Sequence, residues 1–189
     1  MADQGAGCEA LRERILGKEP RFEGALIRVE HWRVRLPDGS PALREVVAHP
    51  GGAAVVAVDA CGLVTLVRQH RPAVDELMLE IPAGKLEHPH EDPLACARRE
   101  LLEETGLSAE NWRPLTTVCT TPGYCDERVA LYLATGLSQG EARPDAGEFL
   151  RVERMPLQEA VGRVLSGELR DGKTALGLLM AGSILGDTI

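Results

Sequence analysis

The chain has 189 residues and a mass of 20.4 kDa, with 44% hydrophobic and 26% charged residues. This is enough chain for a buried core, and the composition excludes a wholly disordered or fibrous protein. The net charge of −8 and the aromatic content of 3% argue against a nucleic-acid-binding protein. Such proteins use positive charge to bind phosphates and aromatic rings to stack on bases.

The sequence also bears on where the protein is located and argues against association with a membrane. The longest apolar run, residues 53–58, is far shorter than the roughly 18 residues that a membrane span needs. Residues 1–8 lack the basic start and apolar segment of a secretory signal. The five cysteines are odd in number and lack CxxC spacing, which favours free thiols in a reducing compartment. We therefore expect a cytoplasmic protein.

The first 49 residues predict a short helix followed by a β-arm. Residues 8–16 have a helical pattern, with Gly17 and Pro20 as stop signals. Residues 31–36 alternate between apolar and polar, and residues 43–48 return as a second strand after a turn, so a hairpin is predicted. A break around residues 49–52 separates this arm, residues 1–49, from a main domain, residues 50–189.

Predicted strands outnumber predicted helices in the main domain. Asp92 is the expected N-cap of its first helix, with Pro93 at the first helical position and Gly106 as the stop. The helices do not alternate one for one with the strands, so the pattern favours an α+β fold with helices packed on a mixed sheet. The predicted strands are residues 53–58, 63–69, 77–81, 115–119, 129–135 and 149–154, and the predicted helices are residues 92–105, 156–167 and 173–185.

The first helix of the main domain carries the residues that point to chemistry. Glu100, Glu103 and Glu104 are spaced so that their carboxylates share one side, opposite the apolar side that faces the sheet. Like charges at this spacing repel, so a cation should lie nearby. Arg99 and a hard divalent ion such as Mg²⁺ both meet that need. A solvated acidic face is the alternative that the spacing alone leaves open.

The string from Gly84 to Leu107 resembles the signature of the Nudix hydrolases, Gly-x5-Glu-x7-Arg-Glu-U-x-Glu-Glu-x-Gly-U, where U is aliphatic. Seven residues separate Glu91 from Arg99, and Arg-Glu-Leu-Leu-Glu-Glu-Thr-Gly-Leu follows. One position departs from the signature, because six residues rather than five lie between Gly84 and Glu91. The extra residue falls in residues 88–90, where a loop can absorb it at small cost.

Further segments resemble the ADP-ribose pyrophosphatase branch of that family, namely residues 67–71, 79–84 and 121–127 together with the β-arm. The resemblance implies a Nudix α/β/α sandwich with a mixed sheet and an N-terminal antiparallel β-arm. In this branch the arm commonly exchanges between two subunits, which implies a homodimer. The implied activity is Mg²⁺-dependent hydrolysis of ADP-ribose to AMP and ribose 5-phosphate, with Mn²⁺ as a possible substitute.

The same resemblance implies a metal site. Glu100 and Glu104 are the implied ligands, with Glu103 as a third ligand or one that acts through water, and the backbone carbonyl of Ala83 as another. Because a ligand of the metal takes part in the reaction, the resemblance also implies that Glu103 is a catalytic residue. Glu91 is expected to support the site rather than bind the metal.

The resemblance also implies two further catalytic roles. Arg99 is expected to orient a signature glutamate through a charge-assisted hydrogen bond, and a plain ion pair on the helix surface is the alternative. Glu127 is the implied general base, and a surface acid is the alternative. Glu141 and Glu148 lie on another acidic loop and are the other candidates for the base.

Substrate contacts are expected from the arm and from neighbouring strands. Arg44 and Arg71 suit the phosphates or the terminal ribose, since arginine makes bidentate contacts with oxygens; cations at strand edges are the alternative. Glu80 is expected to position substrate, or else to be the buried partner of a nearby arginine. Trp32 could stack an adenine, and a core or dimer-interface residue is the alternative.

Three other functions are consistent with parts of the sequence. The substrate could be another nucleotide sugar, such as GDP-mannose, or a dinucleoside polyphosphate. A non-catalytic Nudix module that binds ADP-ribose is a rival, but such a module should lack some of the carboxylates that are complete here. A purely structural acidic domain leaves the signature unexplained.

Overall fold

The computed structural model describes residues 9–88, 90–142, 147 and 149–186. The chain divides into two compact units. The arm unit comprises residues 1–50 and 121–127, and the sandwich unit comprises residues 51–120 and 128–189. The division after residue 50 follows the break in the sequence, whereas the assignment of residues 121–127 to the arm unit was not predicted.

The arm unit is built on a three-stranded antiparallel sheet with the order β1-β2-β3. The predicted hairpin is confirmed as β2 and β3, which pair along their whole length. Residues 121–127 run beside β3, where Val47 N–H donates to the carbonyl of Tyr124 at 2.7 Å and Asp126 N–H donates to the carbonyl of Val47 at 3.1 Å. The strands are β1 (Arg14–Glu23), β2 (Arg28–Arg35) and β3 (Pro41–Ala48).

The predicted helix over residues 8–16 is wrong from Ala10 onward, because residues 10–13 are turn and irregular structure and β1 begins at Arg14. Gly17 and Pro20 do not stop a helix. They lie where the register between β1 and β2 shifts, between Ile15 and Gly17 and between Pro20 and Phe22. Proline lacks an N–H group and is tolerated in a sheet at such irregular positions. Pairing with β2 therefore overrides the weak helical pattern of the local sequence.

The sandwich unit contains a mixed seven-stranded sheet with the order β10-β5-β4-β9-β8, where β6 pairs with β5 and β7 pairs with β4. The β4–β9 pair is parallel and the others are antiparallel, which confirms the mixed sheet. Its strands are β4 (Gly52–Val58), β5 (Leu63–Arg71), β6 (Glu76–Glu80), β7 (Ala83–Lys85), β8 (Leu107–Cys119), β9 (Arg128–Gln139) and β10 (Leu150–Pro156). Its helices are α1 (Pro93–Thr105), α2 (Leu157–Leu165) and α3 (Gly172–Gly186).

Every residue of β4 is buried, which is typical of a strand covered on both faces. Its alternate side chains belong to two different cores. Val55 packs in a cluster with Ala97 and Leu101 of α1. Val56 packs in the other cluster, with Leu157 of α2 and Leu178 of α3 among others. Helices thus cover both faces of the sheet, and the predicted α/β/α sandwich is confirmed. Across the described ranges, no helix combines the length and apolar character of a membrane span.

Candidate active site

Helix α1 begins and ends as the sequence predicts. The Asp92 side chain accepts a hydrogen bond from Leu94 N–H at 3.1 Å, and Pro93 occupies the first helical position. Gly106 closes the helix in the left-handed conformation, with φ of 72°, and its N–H donates to the carbonyl of Leu102. Only glycine adopts this conformation at little cost. These caps set the register of the three glutamates that follow Arg99.

Two of these glutamates lie in a different environment from the one predicted. Glu100 and Glu104 are buried, with 8% and 3% of their surface exposed, while Glu103 is half-buried. The prediction that all three share the side opposite the sheet is therefore wrong. The reason is β7, a three-residue strand that the sequence did not reveal and that packs close to α1.

The bend at Pro82 and the first two residues of β7, together called the Ala83 turn, hold these two carboxylates. Ala83 N–H donates to Glu104 Oε2 at 3.1 Å. A Cβ atom added at Gly84 would lie 1.9 Å from Glu100 Oε1, so only a glycine leaves room for this carboxylate. The structure thus brings Glu104 to the Ala83 N–H group and Glu100 close to Gly84, whereas metal binding by these carboxylates and by the Ala83 carbonyl stays a prediction.

Arg99 connects the carboxylates of this region. Its Nη1 atom donates to Glu100 Oε1 at 2.6 Å and to Glu103 Oε2 at 3.2 Å. Burial alone lowers the pKa of Arg99, but the charge and hydrogen bond of Glu100 outweigh it and raise the pKa further, so the guanidinium stays charged. The guanidinium lies within 4 Å of four carboxylates, those of Glu87, Glu91, Glu100 and Glu103.

This group, the α1 acid cluster, consists of those four glutamates with Arg99 and carries three net negative charges (four minus one). Nε of Arg99 is buried without a hydrogen-bond partner in the described residues, and it lies 3.9 Å from Glu87 Oε1. Within that same part of the chain, no three His, Cys, Asp or Glu side chains already stand in an arrangement that could hold a metal ion. The donor set still fits a hard divalent cation, because carboxylate oxygens are crowded here beside too little positive charge.

A second charged group, the Glu80 network, lies at the end of β6. Glu80 is 1% exposed and accepts two hydrogen bonds from Arg71, each 2.7 Å long. It also accepts a short hydrogen bond from Lys173 Nζ, which donates in turn to Asp171 Oδ2 at 2.9 Å. Glu80 is thus a buried partner of Arg71, one of the two roles that the sequence left open, and its contact with substrate stays a prediction. No motif in the sequence pointed to a role for Lys173 or Asp171.

Two other predicted site residues, Arg44 and Glu127, belong to the arm unit. Arg44 pairs with Glu13, with Nε 3.1 Å from Oε2. The Glu127 carboxylate lies 3.3 Å from Nδ1 of His49, a residue that the sequence analysis did not single out. His49 N–H also donates to Asp126 Oδ1 at 2.9 Å, so the end of the segment 121–127 is held beside the residue that follows β3.

Of the three residues considered for other roles, Trp32 and Glu141 have a described position and Glu148 does not. Trp32 donates from Nε1 to Glu30 at 2.7 Å, and Lys18 Nζ lies 3.8 Å from the centre of its ring. Glu141 is exposed, whereas Glu148 lies outside the described residues.

The cysteines of the described part, Cys61, Cys96, Cys119 and Cys125, are free, as predicted, while Cys8 lies outside it. Cys96 is buried between α1 and β7, and burial raises the pKa of its thiol to about 12. Its sulfur lies 3.4 Å from the carbonyl of Lys85 and 3.5 Å from Nη2 of Arg99. A neutral thiol here packs beside Arg99 rather than acting as a nucleophile.

Residues 48–175 match the NUDIX domain family, and this range covers more than half of the chain. The chain belongs to the Nudix family. Nudix hydrolases generally need a divalent metal ion. This need agrees with the excess negative charge of the α1 acid cluster.

Two relatives and one solved structure resemble this Nudix chain along most of its length. An ADP-ribose pyrophosphatase of Bacillus subtilis (strain 168) is 41% identical over 169 residues, which cover 88% of this chain and 91% of the relative. An ADP-ribose pyrophosphatase of Mycobacterium tuberculosis (strain ATCC 25618 / H37Rv) is 38% identical over 167 residues, covering 87% and 80%. The predicted enzyme class, a Nudix pyrophosphohydrolase, is confirmed.

The solved structure is a crystal structure of an ADP compounds hydrolase. It superposes with a TM-score of 0.80 over 94% of this chain and 96% of that chain, at 22% sequence identity. At this identity the likeness bears on the fold alone, and it confirms the predicted Nudix fold.

Proposed function

We propose that this Nudix hydrolase cleaves the diphosphate of ADP-ribose, giving AMP and ribose 5-phosphate, with Mg²⁺ as its metal and Mn²⁺ as a substitute. One observation carries the proposal. Glu100 and Glu104 are buried against the Ala83–Gly84 backbone, and Glu100 belongs to the α1 acid cluster, which has more carboxylates than cations. The names of the two similar relatives favour ADP-ribose among nucleoside diphosphate sugars.

The residues around the Ala83 turn would hold the metal. Glu100, Glu104 and the Ala83 carbonyl are the proposed ligands, with Glu103 binding directly or through water. When bound, the metal lowers the pKa of water and neutralises charge on the diphosphate. Arg99 holds the Glu100 and Glu103 carboxylates in place through its two hydrogen bonds from Nη1.

The chemical step needs a base and a clamp for the substrate. Glu127 is the proposed base: it takes a proton from the attacking water while a phosphorus–oxygen bond of the diphosphate breaks. His49, 3.3 Å from the Glu127 carboxylate, keeps it oriented. Arg71 stays 41% exposed despite its pair with Glu80, so part of its guanidinium is accessible to substrate oxygens. Arg44 is the proposed second clamp.

The arm unit supports the proposal of a homodimer. Its strands expose apolar side chains that a second copy of the chain would cover: Ile15, Leu16, Phe22 and Leu43 are between 46% and 56% exposed. Light scattering at micromolar concentration should give about twice the chain mass of 20.4 kDa. A monomer with full activity would contradict the shared arm. We also propose that the protein works in the cytoplasm, in line with its free thiols.

A substrate panel tests the activity. Purified protein is incubated with ADP-ribose, GDP-mannose and a dinucleoside polyphosphate, with Mg²⁺, with Mn²⁺ and with a chelator, and the released nucleotide is measured by chromatography. We expect AMP from ADP-ribose at the highest kcat/KM, and no product with the chelator. Faster cleavage of GDP-mannose would change the substrate but not the chemistry. Binding of ADP-ribose without product under any metal would support a non-catalytic binding module instead.

A further inference from the structure

The first turn of α3 reaches the backbone that supports the α1 acid cluster. Thr174 is fully buried. Its hydroxyl oxygen accepts a hydrogen bond from Ile81 N–H at 3.0 Å. Ile81 follows the last residue of β6 and immediately precedes the turn at Pro82–Gly84. Thr174 is 93 residues away from Ile81 in sequence, so this bond joins two distant segments.

Asp171 fixes the orientation of this hydroxyl. Its Oδ2 atom accepts from Thr174 Oγ1 at 2.5 Å and from Thr174 N–H at 3.0 Å. A hydroxyl has one hydrogen to donate, so the bond to Asp171 leaves its lone pairs facing the Ile81 amide. Lys173 bonds to both Asp171 and Glu80, which ties the same helical turn to the end of β6 a second time.

The turn after Ile81 is fixed at three successive points. Val55 N–H donates to the carbonyl of Pro82 at 2.9 Å, and Ala83 N–H donates to Glu104 Oε2 at 3.1 Å. The Ile81 bond to Thr174 is the first of the three along the chain. The Pro82 carbonyl and the Ala83 N–H belong to the same peptide group, so these two bonds hold that group on both sides and keep the N–H on Glu104. The Ile81 bond holds the chain immediately before this group, and the Ala83 carbonyl belongs to the peptide group that follows it.

We propose that Thr174, oriented by Asp171, is a positioning residue for the metal site: it holds Ile81 and so fixes the Ala83 peptide against Glu104. The proposal rests on the proposed function, because it assigns Thr174 to the metal site named there. Thr174 touches neither substrate nor metal and acts through Ile81 and Ala83. Direct hydrogen-bond partners of metal ligands typically change metal affinity by about 10- to 100-fold when they are removed, and Thr174 acts from farther away, so we expect an effect at the lower end of this range.

The test compares three variants by direct metal binding in the absence of nucleotide. Mn²⁺ binding is followed by electron paramagnetic resonance for the native protein, Thr174→Val, Thr174→Ser and Thr65→Val. Valine keeps the shape of threonine but loses the hydroxyl, whereas serine keeps the hydroxyl. Thr65 is a matched control, since it is 2% exposed and lies near the start of β5 rather than beside the Ala83 turn.

We expect Thr174→Val to bind Mn²⁺ about tenfold more weakly than the native protein. Thr174→Ser should bind within about threefold of the native protein, and Thr65→Val should bind like it even if its melting temperature falls. Native-like binding by Thr174→Val would overturn the positioning role while leaving the proposed function intact. A native protein that binds no Mn²⁺ would overturn the proposed metal-dependent function and the positioning role together.

A second measurement needs no variant, in case Thr174→Val does not fold. Hydrogen exchange of the native protein, followed by NMR, reports on the Ile81 and Ala83 amides separately. We expect both amides to exchange as slowly as the β4 amides, because both are hydrogen-bonded in the folded state. An Ile81 amide that exchanges as fast as an exposed loop would overturn the proposal whatever the substrate is.

Discussion

The two charged groups of the sandwich unit differ in their balance of negative and positive charge. In the α1 acid cluster, four carboxylates lie around one guanidinium. In the Glu80 network, two carboxylates, Glu80 and Asp171, are matched by two cations, Arg71 and Lys173. The first group carries a net charge of −3 and the second is neutral.

Because of this difference, the α1 acid cluster can bind an added cation, whereas the charges of the Glu80 network already balance one another. At an effective dielectric constant near 20 and about 5 Å, two like charges repel by about 3 kcal/mol before screening by solvent. The α1 acid cluster retains such repulsion, and a divalent ion would offset it. The Glu80 network has no excess charge for an added ion to offset, so its strength should appear as stability rather than as ligand affinity.

The largest expected effect is a loss of stability in the Glu80 network. Glu80→Gln removes the charged partner of both Arg71 and Lys173, and breaking a buried pair in this way typically costs 3–5 kcal/mol. We expect a loss of about 3 kcal/mol in the free energy of unfolding, measured with urea, because Arg71 is 41% exposed and can be partly solvated. Glu153→Gln is the control. It breaks a more exposed pair with Arg68 and should cost about 1 kcal/mol or less. Equal losses in the two variants would remove the distinction between the groups.

The next effect concerns Glu104, a proposed metal ligand on the same helix as Glu100 and Glu103 of the α1 acid cluster. Glu104→Gln should lower kcat at least about a hundredfold, because it weakens a proposed ligand of the metal that activates water. Its free energy of unfolding should change little, since the amide oxygen of glutamine can still accept from Ala83 N–H. Glu159→Gln, on the outer side of α2, should change neither quantity. A loss of stability like that of Glu80→Gln would contradict the comparison.

A third prediction concerns a carboxylate outside both groups. Glu127→Gln should lower kcat about a hundredfold if Glu127 is the base, while Mn²⁺ affinity stays within about twofold of the native value. Steady-state kinetics and metal titration on the same preparation separate the two effects. If turnover remains close to native, the role of base passes to Glu141 or Glu148.

The pH dependence of stability gives a smaller effect. Burial alone raises the pKa of Glu80, but the hydrogen bonds and charges of Arg71 and Lys173 outweigh it, so the pKa lies below its ordinary value of 4.5. The ionised carboxylate therefore stabilises the fold fully above pH 4.5, and this contribution is lost as pH falls through the lower folded-state pKa. Urea unfolding between pH 3 and pH 6 should show a steeper loss at the acid end for the native protein than for Glu80→Gln. Parallel curves would show that Glu80 is not responsible.

The smallest expected effect concerns the extra residue before Glu91. Glu91 N–H donates to the carbonyl of His88 at 3.0 Å, and the Glu91 side chain accepts from Glu87 N–H at 2.6 Å, so the segment is closed by its own bonds. Pro89 itself lies outside the described residues. Deleting His90 should change kcat and Mg²⁺ affinity by less than tenfold, about 1.4 kcal/mol. A larger gain in either quantity would show that the insertion displaces the Ala83 turn.

The predictable parts of the fold are those whose signals are local. Asp92, Pro93 and Gly106 define α1 because caps act within a few residues, and the buried run of β4 is visible as a continuous apolar segment. The missed elements depend on partners far away in sequence. The first half of β8 does not alternate regularly and is a strand because it pairs with β9 as far as Gln139.

The candidate site also combines features that the local sequence predicts with features that depend on distant residues. The spacing of Glu100, Glu103 and Glu104 is a local property of one helix and was visible in the sequence. Their burial was not, because it depends on β7, which has only three residues. The bonds of Lys173 and Thr174 to the end of β6 each span 93 residues, and no spacing rule reveals contacts of that kind.

The irregular register of β1 bears on how the arm unit behaves at high concentration. A strand at the border of a sheet can recruit strands of other molecules, which is a route to aggregation. In the described residues β1 is the outer strand on one side, and Pro20 and the two register shifts interrupt its row of donors. On the other side, residues 121–127 bond to Val47 of β3. Both borders thus resist strand addition, so we expect the arm to remain soluble and not to extend into fibrils, although its strands expose apolar side chains.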